Sequence, residues 1–400
     1  MIKTTHSLTS KWLYLLVLLC SGLFAQTNTE VFLIPLDISG DKKEVGVAQN
    51  ISTNPGYDNQ PSFYNDNVIL FSSTRSGQTD IAGYMRNKQQ KIWITDTPDA
   101  SEYSPLKIPG KKKISAIRLQ NDGLQRLYAY PFEKGKAKEL IADLKVGYHV
   151  WYSEDIIVCT VLVEDRMDLV VADLKTNTRY TVYKNVGRSL HKIPNTQLLS
   201  FINREGDNYT VKSLDPVSGA SQKIVELPDG VQDYCWLLNG TMIAGQGNLL
   251  LEFQPGKSNE WQQFHQFIRP EIGRISRIAV NSLSTRIALV AEASSEVPVQ
   301  AQLEAYNARD IDKFLEPYAE DVQVYDYPDK FLYQGKELMR KSYSSFFKTT
   351  PDLHCELKNR IIIRDKVIDE EAVTANGMLF HAVAIYEVKD GKITKVTFIR

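Results

Sequence analysis

The chain has 400 residues, more than one hydrophobic core ordinarily holds, and 43% apolar with 24% charged residues is an ordinary globular composition that excludes a disordered or collagen-like chain. Lys plus Arg (47) nearly equals Asp plus Glu (48), so no global field favours nucleic acid or an anionic membrane surface. Twenty tyrosines and fifteen phenylalanines beside 22 glycines and 16 prolines favour many short strands joined by tight turns.

The first element is a leader. Lys3 and Lys11 precede the apolar run Trp12 to Cys20, and small residues follow at Ser21, Gly22 and Ala25. This is the pattern of a secretory signal, too short for a membrane span. The expectation is a signal peptide over 1–25, an exported (periplasmic or extracellular) mature chain that is mildly acidic, and no integral span within it. The remaining cysteines, Cys159, Cys235 and Cys355, are odd in number, lack a CxxC pair and lie in apolar stretches, so they read as packed free thiols. No metal or cofactor motif is present.

A β-rich opening then recurs at Gln60-Pro61-Ser62-Phe63, Ser104-Pro105-Leu106, His149-Val150-Trp151-Tyr152, Leu190-His191-Lys192-Ile193, Tyr234-Cys235-Trp236-Leu237 and Ser276-Arg277-Ile278-Ala279, in steps of 41 to 45 residues. About four short strands fit each step, the pattern of a propeller blade. The sixth unit holds two strands, Ile275 to Val280 and Arg286 to Ala291; Val31 to Leu36 and Glu44 to Ala48 from the other end of the chain can complete it. That closure removes exposed strand edges. The reading is an all-β six-bladed propeller within 26–296.

Asp58-Asn59-Gln60-Pro61-Ser62-Phe63, followed by Ile69 to Ser73 and Thr74-Arg75-Ser76-Gly77-Gln78-Thr79-Asp80-Ile81, resembles the WD-type repeat of TolB-like propellers. The resemblance implies a propeller of the kind that serves as a periplasmic adaptor, a sensor or an enzyme-associated module, and it is nearly silent on activity. Residues just before the repeat anchors, Asp58, Tyr103, His149, Arg188, Asp233 and Arg274, together with His191, are candidates for a polar ligand or peptide site at the channel mouth. Hydrogen bonding between blades is their bland alternative.

From residue 297 the rhythm changes. Ser295 and Pro298 can start a helix carrying Leu303 and Tyr306; Asp310 can cap a second with Ile311, Phe314, Leu315 and Tyr318 on one face. A strand from Val322 to Tyr327, a helix with Leu338, Met339, Tyr343, Phe346 and Phe347, and three or four strands from Leu353 to Ile399 follow, with Asp390-Gly391 as a hairpin turn. Helices before a curved antiparallel sheet predict a small α+β cone over 297–400.

Ala305-Tyr306-Asn307-Ala308-Arg309-Asp310-Ile311-Asp312, Tyr318-Ala319-Glu320-Asp321-Val322, Pro351-Asp352-Leu353-His354 and Ile385 to Ile393 resemble the SnoaL-like and ketosteroid isomerase-like group of the nuclear transport factor 2-like superfamily. In its isomerase branch a carboxylate base ends the strand after the second helix, and a tyrosine and a protonated acid form the oxyanion hole. Counting from Asp310 puts Asp326 at the base position, whereas Gln302 and about Ala384 stand where the other two groups belong. His354, Glu370, His381 and Tyr386 are the cone's other polar candidates. With no complete catalytic constellation visible, the sequence favours a binding protein: the propeller as platform for a protein partner, peptide or glycan, the cone as small-molecule pocket or homodimer unit. An isomerase, cyclase or dehydratase using Asp326 is the alternative, and no GxSxG elbow supports hydrolysis at the propeller.

Overall fold

The computed structural model describes residues 28–39, 42–54, 56–133, 135–206 and 208–400, so the signal peptide expected over 1–25 lies outside the described residues. Residues 58–266 form five consecutive four-stranded antiparallel sheets, the first starting at Asp58–Asn65 and the fifth ending at Gln262–Gln266. The sixth blade joins both ends of this region in the order Lys42–Val45, Glu30–Ser39, Arg286–Glu292, Arg274–Val280. Glu30 lies opposite Ala291 and Pro35 opposite Arg286, so the ring closes through the strand taken from the amino-terminal side, as the repeat count requires.

Each blade's second strand lies between neighbouring blades, which cover both of its faces, so consecutive residues along it are buried. Ile156–Val163 shows this: Ile157, Val158 and Cys159 are all buried. The blades are also stitched by a repeated bond. Ser115 Oγ in blade 2 accepts Trp151 Nε1 of blade 3 at 2.8 Å, and Ser200 Oγ in blade 4 accepts Trp236 Nε1 of blade 5 at 2.8 Å. In each case a buried indole N–H finds its partner 36 residues back in sequence, on the adjacent blade. Gln60 and Ser104, each just before a proline, share a left-handed φ (55° and 52°) at a bulge in their inner strands. Cys159, Cys235 and Cys355 are buried and free.

The last propeller strand ends at Glu292, and α1 (Glu296–Ala308) begins four residues on. Asp310 caps α2 (Ile311–Leu315) by accepting Lys313 N–H at 3.1 Å, as its sequence position predicts. The helix α3 (Lys336–Thr349) follows a strand pair, Tyr318–Asp326 and Lys330–Gln334, the second of which the sequence reading lacks. The six-stranded sheet runs Lys330–Gln334, Tyr318–Asp326, Lys392–Ile399, Met378–Lys389, Lys366–Ala375, His354–Ile363. One pairing, Tyr318–Asp326 with Lys392–Ile399, is parallel, a departure from the all-antiparallel expectation. Asp390 and Gly391 both have positive φ (52° and 74°), which turns the last hairpin between Lys389 and Lys392. Val299, Leu303, Phe314, Tyr318 and Phe347 pack the helices onto the sheet's inner face.

Candidate functional site in the C-terminal pocket and the propeller channel

Between the three helices and the curved sheet lies a cavity of about 370 Å³. Its wall is largely aromatic, with Tyr306 from α1, Phe314 from α2, Tyr343 and Phe346 from α3, and Phe398 from the last strand. Tyr306, Phe314, Tyr343 and Phe347 interlock with centroids 4.6 to 6.3 Å apart, the spacing of edge and tilted aromatic pairs.

One polar chain crosses this apolar chamber. Tyr318 Oη donates to Gln302 Oε1 at 3.2 Å, Gln302 Nε2 donates to Tyr386 Oη at 3.0 Å, and Tyr386 Oη donates to Glu371 Oε1 at 3.2 Å. Helix α1 supplies Gln302, and adjacent antiparallel strands supply Glu371 and Tyr386. Glu371 is 7% exposed. Burial, reinforced by the like charge of Asp369 on the same face, pushes its carboxyl up to about 7, while hydrogen bonds from Tyr386 and Cys355 oppose the rise. Burial also holds the Tyr386 phenol far above its ordinary range, so it stays a neutral donor. Asp369 is satisfied by Arg360, which reaches it with two bonds of 2.7 Å and Gln300 with a third of 2.8 Å. Asn307 of α1 exchanges two hydrogen bonds with the Cys355 backbone, pinning helix and sheet beside Glu371.

A carboxyl near 7 in a chamber of this polarity can donate a hydrogen bond in one protonation state and accept one in the other, and it can carry a proton between positions on a bound molecule. Asp326, the sequence candidate for that role, does not line the cavity. It sits on the inner-face register, but at the open end of its strand, with its side chain 31% exposed and 3.8 Å from Arg400 at the rim. His354 and His381 are exposed, and His381 lies opposite Ala372 on the sheet's outer face. Tyr386 lines the cavity. Glu371 was missed by one position, because its exposed neighbour Glu370 was the residue singled out.

The propeller channel gathers four of the seven mouth candidates. His149, Arg188, His191 and Asp233 line one cavity of about 470 Å³. Arg188 and Asp233, with Tyr148, Arg277 and Ile278, also line a second cavity of about 820 Å³, so these five residues form the waist between the two. Arg274 opens on the second cavity and is ion-paired with Glu292. Tyr103 packs edge-on against Tyr57, with centroids 6.2 Å apart. Asp58 is placed elsewhere: it is fully buried beside Ser73 and Asn54, and burial raises it to about 7. His149 is held by Ser115 Oγ at 2.7 Å, and burial lowers it to about 3, so it is neutral at physiological pH. His191 contacts Ser189 Oγ at 2.9 Å and is likewise pushed down by burial. The sequence reading used Arg277 as a repeat anchor and overlooked it as a channel residue; its place in the repeat was the signal.

A family model of the SnoaL-like domain matches residues 299–396. The chain is similar to an uncharacterized cystatin-fold protein from Novosphingobium aromaticivorans, at 29% identity over 27% of this chain and 98% of that one, with a TM-score of 0.26. It is similar over 26% of its length to 80% of an LEH-like epoxide hydrolase from M. tuberculosis, at 16% identity and a TM-score of 0.24. A structure assigned as TolB, from Agrobacterium tumefaciens, matches 66% of this chain and 98% of its own at 9% identity, with a TM-score of 0.52, a likeness of fold alone. No curated protein matches the chain. Among the described residues no helix is long and apolar enough to cross a membrane. Residues 299–396 are thus a SnoaL-like domain, carried behind a six-bladed propeller of TolB-like fold.

Proposed function

We propose that the chain is an exported binding protein whose C-terminal pocket takes a flat, apolar small molecule bearing one carbonyl or hydroxyl group. The observation that carries this reading is the buried Glu371 carboxyl, bonded to Tyr386 inside an aromatic cavity of about 370 Å³. Aromatic walls supply area for a ring system, and the Gln302, Tyr386 and Glu371 series supplies one fixed polar anchor, the usual composition of a small-molecule site. The propeller serves as the interaction platform. Its TolB-like fold and the leader-like first 25 residues support export. The sheet's outer face, with Ile361, Ile363, Leu379 and Ile399 between 38% and 64% exposed, is the surface proposed to join two copies.

A second reading has one specific observation in its favour. A carboxyl held near 7 beside a neutral phenol is poised for proton transfer, so Glu371, with Tyr386 as hydrogen-bond donor, is the base of choice if the bound molecule turns over. A thermal-shift screen of residues 26–400 against bicyclic ketones, naphthols, short peptides and sugars separates the possibilities. Stabilisation by the ketones or naphthols, diminished in Glu371→Ala and Tyr386→Phe, supports the pocket reading; ligand consumption during incubation adds turnover. If the apolar compounds have no effect, or act equally on both variants, the pocket reading falls.

A further inference from the structure

The channel waist carries a charge imbalance that the C-terminal pocket does not explain. Arg188 from blade 4 donates through Nη2 to the backbone carbonyl of Ser276 at 2.7 Å, which brings its guanidinium to the blade 6 strand beside Arg277. Its Nε is buried and has no hydrogen-bond partner. Arg277, 9% exposed, lies over the Tyr148 ring at 5.1 Å and donates to the Tyr148 hydroxyl at 3.2 Å. The carboxylate nearest these two cations is Asp233, which gives one oxygen to the Ile278 N–H at 2.9 Å and keeps the other 3.9 Å from Arg277, too far for a hydrogen bond.

The two channel cavities differ in net charge. The 820 Å³ cavity balances Arg188, Arg274 and Arg277 against Asp229, Asp233 and Glu292. The 470 Å³ cavity has Arg188, Lys192 and Arg277 against Asp233 alone, and its two histidines are driven toward neutrality by burial. A half-buried guanidinium whose buried Nε–H is unused, set beside a second guanidinium at the floor of a net positive cavity, has the geometry for planar oxyanion recognition.

We propose that the 470 Å³ mouth of the propeller binds a small oxyanion, a carboxylate or phosphate group, held between Arg188 and Arg277. Asp233 competes with the ligand for the same cations, so it sets the affinity from the opposite direction. Inorganic phosphate and succinate, titrated separately into the full mature chain at ionic strength fixed with chloride, test this by thermal shift and calorimetry. The expected result is a saturable effect of at least one anion, weakened tenfold or more by Arg188→Gln and strengthened by Asp233→Asn; whichever anion acts more strongly identifies the group. Asp233→Asn provides the opposite-signed check if Arg188→Gln fails to fold. The proposal is overturned if both anions match chloride, if the effect does not saturate, or if it is unchanged or weaker in Asp233→Asn.

Discussion

Replacing Glu371 with Gln tests the electrostatics of the pocket through stability. In the folded protein the Glu371 carboxyl is raised from its ordinary 4.5 to about 7, mainly by burial. A carboxyl whose folded value is raised binds its proton more tightly in the native state, so the native state loses stability as pH climbs from the unfolded value through the folded one. At pH 8 the ionised, buried group costs on the order of 3 kcal/mol relative to the unfolded chain, and at pH 5 less than about 1 kcal/mol. Glutamine keeps the shape and an acceptor for Tyr386 but never ionises. Glu371→Gln is therefore expected to gain about 2 kcal/mol relative to wild type on going from pH 5 to pH 8. Hydrogen exchange read by mass spectrometry on peptides from Lys366–Ala375 and Met378–Lys389 gives the local opening free energy of these strands in both proteins. A wild-type to variant difference that is the same at both pH values would refute the reasoning, since it would mean that Glu371 is not held near 7.

Three further outcomes follow from the same physics. Ser200→Ala removes the oxygen that accepts both Tyr234 Oη and Trp236 Nε1 at 2.8 Å, stranding two buried donors, and should cost about 2 kcal/mol or more in urea unfolding followed by tryptophan fluorescence. Asp58 and Glu102, both fully buried and raised to about 7 by burial, should make the propeller's unfolding midpoint fall as pH rises from 5 to 8, and Asp58→Asn with Glu102→Gln should flatten that slope. Leu379→Lys on the exposed outer face of the sheet should shift the chain from dimer to monomer in sedimentation velocity; a wild type that is monomeric at tens of micromolar would remove the self-association proposal.

The propeller was legible because its determinant is local and repeated. One anchor position, from Pro61 and Pro105 to Cys235 and Arg277, falls in each inner strand, and the shortfall of two strands in the last unit demands closure by the first. The helix and strand order after residue 297 was legible for similar reasons, from the Asp310 cap and the Asp390-Gly391 turn. The site was harder. In Lys366–Ala375 the inner face carries Val367, Asp369, Glu371 and Val373, while the outer face carries Ile368, Glu370, Ala372 and Thr374. Both alternations mix two apolar with two polar residues, so period-2 reasoning cannot tell which of Glu370 and Glu371 is inside. That choice is made by tertiary packing, through the register of Glu371 with Ala382 and of Val367 with Tyr386. Asp326 had the correct parity, but its depth in the cone depends on where the strand ends, which an ungapped count does not supply. The Arg188 and Arg277 pair joins blades 4 and 6 across the channel, 89 positions apart, a proximity that only the closed ring creates.

The most direct test of the pocket is the pH dependence of binding for a neutral bicyclic ketone such as tetralone, measured by calorimetry on the full mature chain from pH 5 to 8.5. Protonated Glu371 can donate to the ketone oxygen and ionised Glu371 cannot, so affinity should fall tenfold or more as pH passes through about 7, and Glu371→Gln should bind with no such dependence. A ketone affinity that is flat with pH in wild type, or a fall that persists in Glu371→Gln, would contradict the account.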